Sequence, residues 1–198
     1  MTCIVGVEHE TGVYIGGDSA TIAGWTLELT GRPKVFRVGE FLIGAAGSPR
    51  VSGLIRHAFA PPPVPAKAKK LDRYMVTEFV PMLRAVLADA GAERKMHEVA
   101  AVPDSSTFLV GVRGRLFTIW SDYQVTHALH RYSAVGCATD VALGALHALR
   151  NMEVSPEDMV WAALGAAEGH NIGVREPFVV KFLPTPQAPA PAASKRAR

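Results

Sequence analysis

Short runs of β-branched and apolar residues dominate the first fifty positions. CIVGVEH and GVYIGGDS are divided by Glu10-Thr11-Gly12, the pattern of a hairpin. After the polar stretch around Gly31-Arg32-Pro33, KVFRV and EFLIGAAG predict a second hairpin across Gly39-Glu40. Residues 72–91 then place Tyr74, Phe79, Met82, Val86 and Leu87 at near-helical spacing, with Pro81 set to kink or restart the helix. TFLVGV, RLFTIWS and the segment around YQVTHAL return to strand character, with Arg113-Gly114 as a turn. Asp140–Arg150 reads as a helix. A second helix opens with Ser155 as N-cap, Pro156 at the first position and Glu157 and Asp158 in the first turn, running to about Glu168. PFVVKFL closes the pattern as a strand.

Strands, helices, strands, helices and a last strand do not alternate as βαβα, which argues against a doubly wound parallel sheet. The order predicts an α+β fold with two antiparallel sheets sandwiched between helical layers. One domain spans residues 1–183, with no repeat of solenoid period. Residues 60–70 carry four prolines and three lysines, an extended connector. The Ala/Pro-rich basic tail, 184–198, is low-complexity and expected to be disordered.

Composition agrees with this outline: 48% of the 198 residues are hydrophobic and 20% charged, the profile of one globular domain and not of a disordered chain. A chain of this size buries enough surface to stand without disulfides. Cys3 and Cys137 are too few for a disulfide framework and lack paired metal-ligand spacing. No apolar run approaches the roughly 20 residues of a membrane span. MTCIVGVEHE has neither a basic n-region nor an apolar h-region, so the expected compartment is the cytoplasm.

The pI near 9.0 suggests nucleic acid, but the charge is misplaced for it. The tail holds Lys195, Arg196 and Arg198 with no acid, and removing it takes the formal charge from +3 to zero. Lys67, Lys69 and Lys70 sit in the connector. A clustered basic face with interleaved aromatics is missing, so neither nucleic acid nor a membrane is an expected partner.

Four segments together carry a resemblance. Met1-Thr2-Cys3-Ile4-Val5 places a threonine at the head of the first strand. Gly16-Gly17-Asp18-Ser19-Ala20 ends the second. Pro33-Lys34-Val35 and Gly44-Ala45-Ala46-Gly47-Ser48 follow at intervals that keep register with Thr2. No single motif is specific, but in register they resemble the proteasome β-subunit superfamily of N-terminal nucleophile hydrolases, closest to the short bacterial proteasome-like peptidases. The resemblance covers about residues 2–183 and implies a four-layer αββα sandwich. It also implies threonine-type peptide hydrolysis in a self-compartmentalised homo-oligomeric ring acting on peptide or unfolded protein, with an ATP-dependent unfoldase as possible partner. No metal or organic cofactor is implied.

The chemistry accounts for the residue types. A threonine hydroxyl needs a base to take its proton as it attacks. With Met1 removed, the Thr2 α-amine is that candidate base, with an ordinary pKa of about 7.7–8.0. The resemblance makes Lys34 the ammonium that depresses it, Asp18 the carboxylate that keeps Lys34 charged, and the Gly47 N–H the oxyanion donor. Taken singly, each residue also has a structural reading: chain start, turn cap, solvated lysine, glycine turn.

The chain departs from the family at two places. Val135-Gly136-Cys137-Ala138-Thr139 stands where a Gly-Ser-Gly turn is usual, so Cys137 either replaces the serine weakly or is a small core residue; the core reading is preferred. Glu168-Gly169-His170-Asn171 stands where an Asp…Ser pair is usual, with Glu168 and Asn171 as loose substitutes. Ser19 completes the supporting set.

Other chemistries fare worse. Cys3, next to Thr2 on a strand, points to the opposite face and reads as core. His127 and His130, at i and i+3 on an expected strand, face opposite ways and make no zinc site. The glycine turns lack the P-loop Lys-Ser/Thr pair. Trp25, Trp120 and Trp161 read as packing residues. Two alternatives to the peptidase stay open: a catalytically silent structural or interaction ring, and an amide hydrolase of the same fold acting on a small molecule.

Overall fold

The two hairpins written into the first fifty residues seed two separate sheets. β1 (Cys3–His9) pairs antiparallel with β2 (Gly12–Gly17), while β5 (Val35–Val38) pairs antiparallel with β6 (Phe41–Ala46). The structure is a computed structural model describing residues 1–66, 70–92 and 106–186. The basic tail from 187 on, with Lys67 and Lys69, lies outside the described residues.

β10 (Tyr132–Gly136) and β11 (Val179–Pro184) flank the first hairpin to give the order β10-β1-β2-β11. β7 (Thr107–Val112), β8 (Arg115–Ile119) and β9 (Val125–Thr126) extend the second to β5-β6-β7-β8-β9. Every pairing within these sheets is antiparallel. The helices are α1 (Pro49–Ala58), α2 (Leu71–Tyr74), α3 (Val80–Asp89), α4 (Thr139–Leu149) and α5 (Pro156–His170).

Strand alternation sorts β1 between two cores. Cys3, Val5 and Val7 pack with Val160, Ala163 and Leu164 of α5, whereas Ile4 packs with Ile15, Leu42, Leu109 and Leu116 between the sheets. A third cluster joins Ile43, Phe108 and Val110 to Ile55, Phe79 and Leu83 from the other helical layer. The result is the expected αββα sandwich. Each fully buried aliphatic or aromatic side chain contributes about 1.5–3 kcal/mol to it. At Gly44 a Cβ would fall 2.4 Å from Ile4 Cγ2, so the sheets close up where β1 begins.

Several expectations are corrected. A short ribbon, β3 (Ala20–Ala23) and β4 (Thr26–Leu29), fills a stretch read only as polar, turning through Gly24 at φ +57°. α1 is a further element; Ser48 caps it by accepting from Val51 N–H, with Pro49 opening the helix. The helix expected over 72–91 contains a π-helical turn, Met75–Phe79, directly before Pro81. Proline removes a donor and crowds the carbonyl four residues back, and the Val80 N–H bonds to Met75 O instead.

The strand expected around YQVTHAL shortens to Val125–Thr126, because Tyr123 and Arg131 adopt φ +68° and +62° and turn the chain on each side. His127 and His130 are therefore not on a strand: His127 Nε2 meets Glu8 Oε2 at 3.1 Å, and His130 stacks on Tyr132. Trp25 is not a packing residue; it stands fully exposed at the ribbon tip.

Candidate active site

Thr2 precedes β1 and is 5% exposed, buried where the two sheets meet. Its carbonyl accepts from Cys137 N–H at 2.8 Å. Gly136 makes that approach possible: at φ +111°, a Cβ there would lie 2.0 Å from the Thr2 oxygen. The Thr2 hydroxyl donates to the Met1 carbonyl at 2.5 Å. Met1 itself lies against Gly173, where a Cβ would come within 2.4 Å of the Met1 Cβ.

Asp18 follows the end of β2 and is 1% exposed. One carboxylate oxygen accepts from Cys3 N–H at 2.9 Å, the other from Ala20 N–H at 2.8 Å. Lys34 enters just before β5 and sets its ammonium 2.9 Å and 3.1 Å from the two oxygens. The same Nζ donates to Ala20 O at 2.6 Å and reaches Met1 O at 3.4 Å. Burial lowers the Lys34 pKa from its ordinary value, and the Asp18 charge opposes that shift.

Gly47, beyond β6, turns at φ +116°, and a Cβ there would lie 2.7 Å from Ser106 Cα. Among the described residues none accepts from its N–H. Ser106 holds the turn from the other side, its hydroxyl accepting from Ser48 N–H at 3.2 Å.

The supporting residues divide. Cys137 is exposed, not core; its thiol donates to Asn171 Oδ1 at 3.4 Å, and Asn171 Nδ2 returns a bond to Cys137 O at 3.1 Å. These two join the Thr2 side of the site through the Cys137 N–H. Glu168 and Ser19 serve the segment before β11 instead. Glu168 Oε1 accepts from Glu176 N–H at 3.0 Å, and the Ser19 hydroxyl donates to Pro177 O at 2.5 Å. Cys3 is fully buried, and burial followed by the Asp18 charge pushes its thiol up to about 12.

Two cavities open on either side of Thr2, and Met1 lines both. One, about 260 Å³, is walled by the ribbon, Lys34, Gly47 and the first turn of α1. The other, about 470 Å³, is walled by Gly47, Trp120, Gly136, Cys137 and Thr139. A larger depression of about 600 Å³ beside α3 contains none of these residues. The site thus collects a hydroxyl, an ammonium fixed by a buried carboxylate, and a backbone donor at a positive-φ turn, the parts that acyl transfer requires. Sequence reasoning does not single out Arg32 in the smaller cavity or Ser106 behind Gly47. The Ser48-Pro49 pair, matching Ser155-Pro156, is the signal that would have placed α1 and its cavity wall.

No protein-family profile matches the sequence, and no curated protein matches it. Solved structures do. BPH from Thiobacillus denitrificans superposes with a TM-score of 0.74 at 18% identity, over 94% of this chain and 100% of that one. The same protein in complex with epoxomicin gives 0.73 at 18% identity, over 93% and 100%. Eukaryotic HslV from Trypanosoma brucei gives 0.65 at 19% identity, over 92% and 99%. Anbu (ancestral beta-subunit) from Yersinia bercovieri gives 0.64 at 16% identity, over 92% and 81%. The chain has the fold of the proteasome β-subunit-like N-terminal nucleophile hydrolases.

Proposed function

We propose that the chain is a threonine-type peptidase whose nucleophile, Thr2, becomes the N-terminal residue once Met1 is removed. The observation that carries this reading is the arrangement at one point: the Thr2 hydroxyl and the Lys34 ammonium both reach the Met1 carbonyl, and Asp18 fixes the ammonium. Removing Met1 leaves the Thr2 α-amine beside its own hydroxyl and near Lys34. The neighbouring positive charge disfavours a second ammonium and keeps the amine available as a base.

In the reaction, Thr2 Oγ1 attacks the substrate carbonyl carbon while its proton passes to the α-amine. The carbonyl oxygen becomes an oxyanion that accepts from Gly47 N–H. Collapse breaks the C–N bond, and the proton on the α-amine goes to the leaving amine. Water then attacks the resulting ester, with the α-amine again taking a proton, and releases the acid and the free Thr2 hydroxyl. Asn171 and Cys137 brace the Thr2 carbonyl through the Cys137 N–H. The substrate is peptide or unfolded protein, the chain works in a homo-oligomeric ring, and an ATP-dependent unfoldase is the partner such a ring would use.

The test is the intact mass of the purified protein after exposure to epoxomicin, the ligand bound to one of the structural neighbours. Loss of Met1 with one adduct on Thr2 supports the peptidase. Retained Met1 with no adduct supports the second reading, a silent ring, which the seating of Met1 over the Thr2 hydroxyl favours.

A further inference from the structure

The smaller cavity beside Thr2 is lopsided in charge. Arg32 and Lys34 line it together with the hydroxyls of Thr21, Thr30, Ser48 and Ser52, and no aspartate or glutamate lines it. Lys34 is already paired with Asp18 at 2.9 Å. Arg32 is exposed, and no carboxylate among the described residues pairs with it. Its Nη1 lies 4.0 Å from where a Gly53 Cβ would be, so the guanidinium rests over α1, whose first turn carries no acid. A second guanidinium, Arg56, lies behind the cavity: it stands over the Phe36 ring at 4.2 Å and donates to the carbonyl of Pro33, a lining residue, without lining the cavity itself. The two arginines repel, and that repulsion adds to burial in lowering the Arg56 pKa.

Ile22, Ala45 and Pro49 also line the cavity, and the Thr30 and Ser48 hydroxyls already accept from Arg32 N–H and Val51 N–H, but an aliphatic side chain entering it would still strip water from the Arg32 cation and return nothing to it. A carboxylate would restore the missing charge and accept from the same guanidinium. At about 260 Å³ the cavity lies below the size of drug-sized ligand pockets and suits one side chain, while the 470 Å³ cavity has room for more of the chain. Both cavities border the nucleophile and Gly47, and the smaller one, with room for a single side chain beside Lys34, is assigned to the residue whose carbonyl is attacked.

We infer that this cavity selects an acidic side chain, glutamate or aspartate, on the N-terminal side of the cleaved bond, with Arg32 as the specificity-determining residue. The inference rests on the peptidase reading for its reaction but not for its binding.

The experiment uses the full chain freed of Met1 and a set of tetrapeptide fluorogenic amides differing only in the last residue: Glu, Gln, Leu or Arg. The expected kcat/KM for Glu exceeds that for the isosteric Gln by about tenfold or more, the scale of one charge-assisted hydrogen bond. That ratio collapses in Arg32→Ala, recovers in part in Arg32→Lys, and shifts toward the Arg substrate in Arg32→Glu. It also shrinks with added salt, since Arg32 is solvent-facing. In parallel, the tetrapeptides ending in Glu-amide or Gln-amide are titrated into the Thr2→Ala variant by calorimetry. Arg32-dependent preference for Glu in the titration, without cleavage by the parent, keeps the pocket and overturns the peptidase. Equal binding and equal rates for Glu and Gln, or a Glu preference that survives Arg32→Ala, overturn the pocket assignment.

Discussion

The ammonium of Lys34 lies 2.9 Å and 3.1 Å from the two carboxylate oxygens of Asp18, each of which also takes a backbone N–H. The pair therefore locks the starts of β1, β3 and β5 together as well as setting a charge beside Thr2. Lys34→Ala leaves Asp18 buried without its cation, at a cost of about 3–5 kcal/mol. The variant is expected to lose peptide cleavage and to unfold at clearly lower urea. Lys34→Arg should not rescue activity, because the planar fork cannot occupy the ammonium's position. A Lys34→Ala protein as stable as the parent would show that the pair is not structural.

Thr2→Ala removes one hydroxyl and one methyl from a site where the side chain bonds only locally. Cleavage should disappear, while stability changes by about 1 kcal/mol or less. Urea denaturation and a peptide assay check both halves. Parental activity in this variant would redirect attention to Cys3 or Ser19. The structure makes both poor nucleophiles: the Cys3 thiol is pushed up to about 12, and the Ser19 hydroxyl is engaged by Pro177 O.

The α-amine base predicts a pH profile. At sub-saturating substrate the rate should rise as the Thr2 amine deprotonates, at or below the reference of about 7.7–8.0, because the Lys34 charge depresses it. A histidine base would titrate nearer 6.5 and ignore the N-terminus. Selective acetylation of the amine, or an uncleavable N-terminal extension, should eliminate activity without unfolding the protein. Full activity from a blocked chain would end the mechanism.

The cysteines should separate in reactivity. Iodoacetamide at pH 8 is expected to label exposed Cys137 and spare Cys3, read by peptide mass mapping. The Cys3 pKa is raised from 9.0 in the unfolded reference to about 12 in the folded chain. The unfolded thiol therefore loses its proton first, and this contribution to stability, fully present below pH 9, falls away as pH rises toward 12. Cys3→Ala should flatten that alkaline decline in a stability-versus-pH series.

Assembly is the fifth expectation. The ribbon displays Trp25, Leu27 and Leu29 to solvent, and α5 leaves Trp161 part-exposed beside Phe178. With α4 and α5 as stacking surfaces, light scattering at micromolar concentration should report at least six subunits. A monomer would remove the ring and weaken the peptidase with it.

Much of this was readable from residue order because the sandwich is built from strong local signals. The β-branched apolar run in CIVGVEH and the Ser155-Pro156 cap each specify an element without help from distant residues. The ribbon and α1 are weaker locally. Thr26–Leu29 is exposed throughout and has no buried face to mark a period, and in α1 only Val51 and Ile55 are fully buried. Thr2, Asp18, Lys34 and Gly47 were named from register, and the fold brings them around one point. Glu168 and Ser19 were named from the same register but are drawn to the Arg175–Pro177 segment. Spacing fixes which strand end a residue occupies, not which carbonyl its side chain finds. Arg32 was not singled out because the role proposed for it rests on the lack of a carboxylate partner among the described residues, which no linear pattern records.

Met1 is shared by both cavities flanking Thr2, and its side chain fits the space that Gly173 leaves open. It sits between the two cavities, with its carbonyl over the Thr2 hydroxyl. N-terminal trimming would then do two jobs in a single cut, baring the amine and freeing the hydroxyl beside it. In the proposed ring, each chain would be trimmed separately, so output would scale with the fraction trimmed and would not switch on all at once. The supply of the trimming enzyme, and not only the supply of this chain, would set how much of the assembly works.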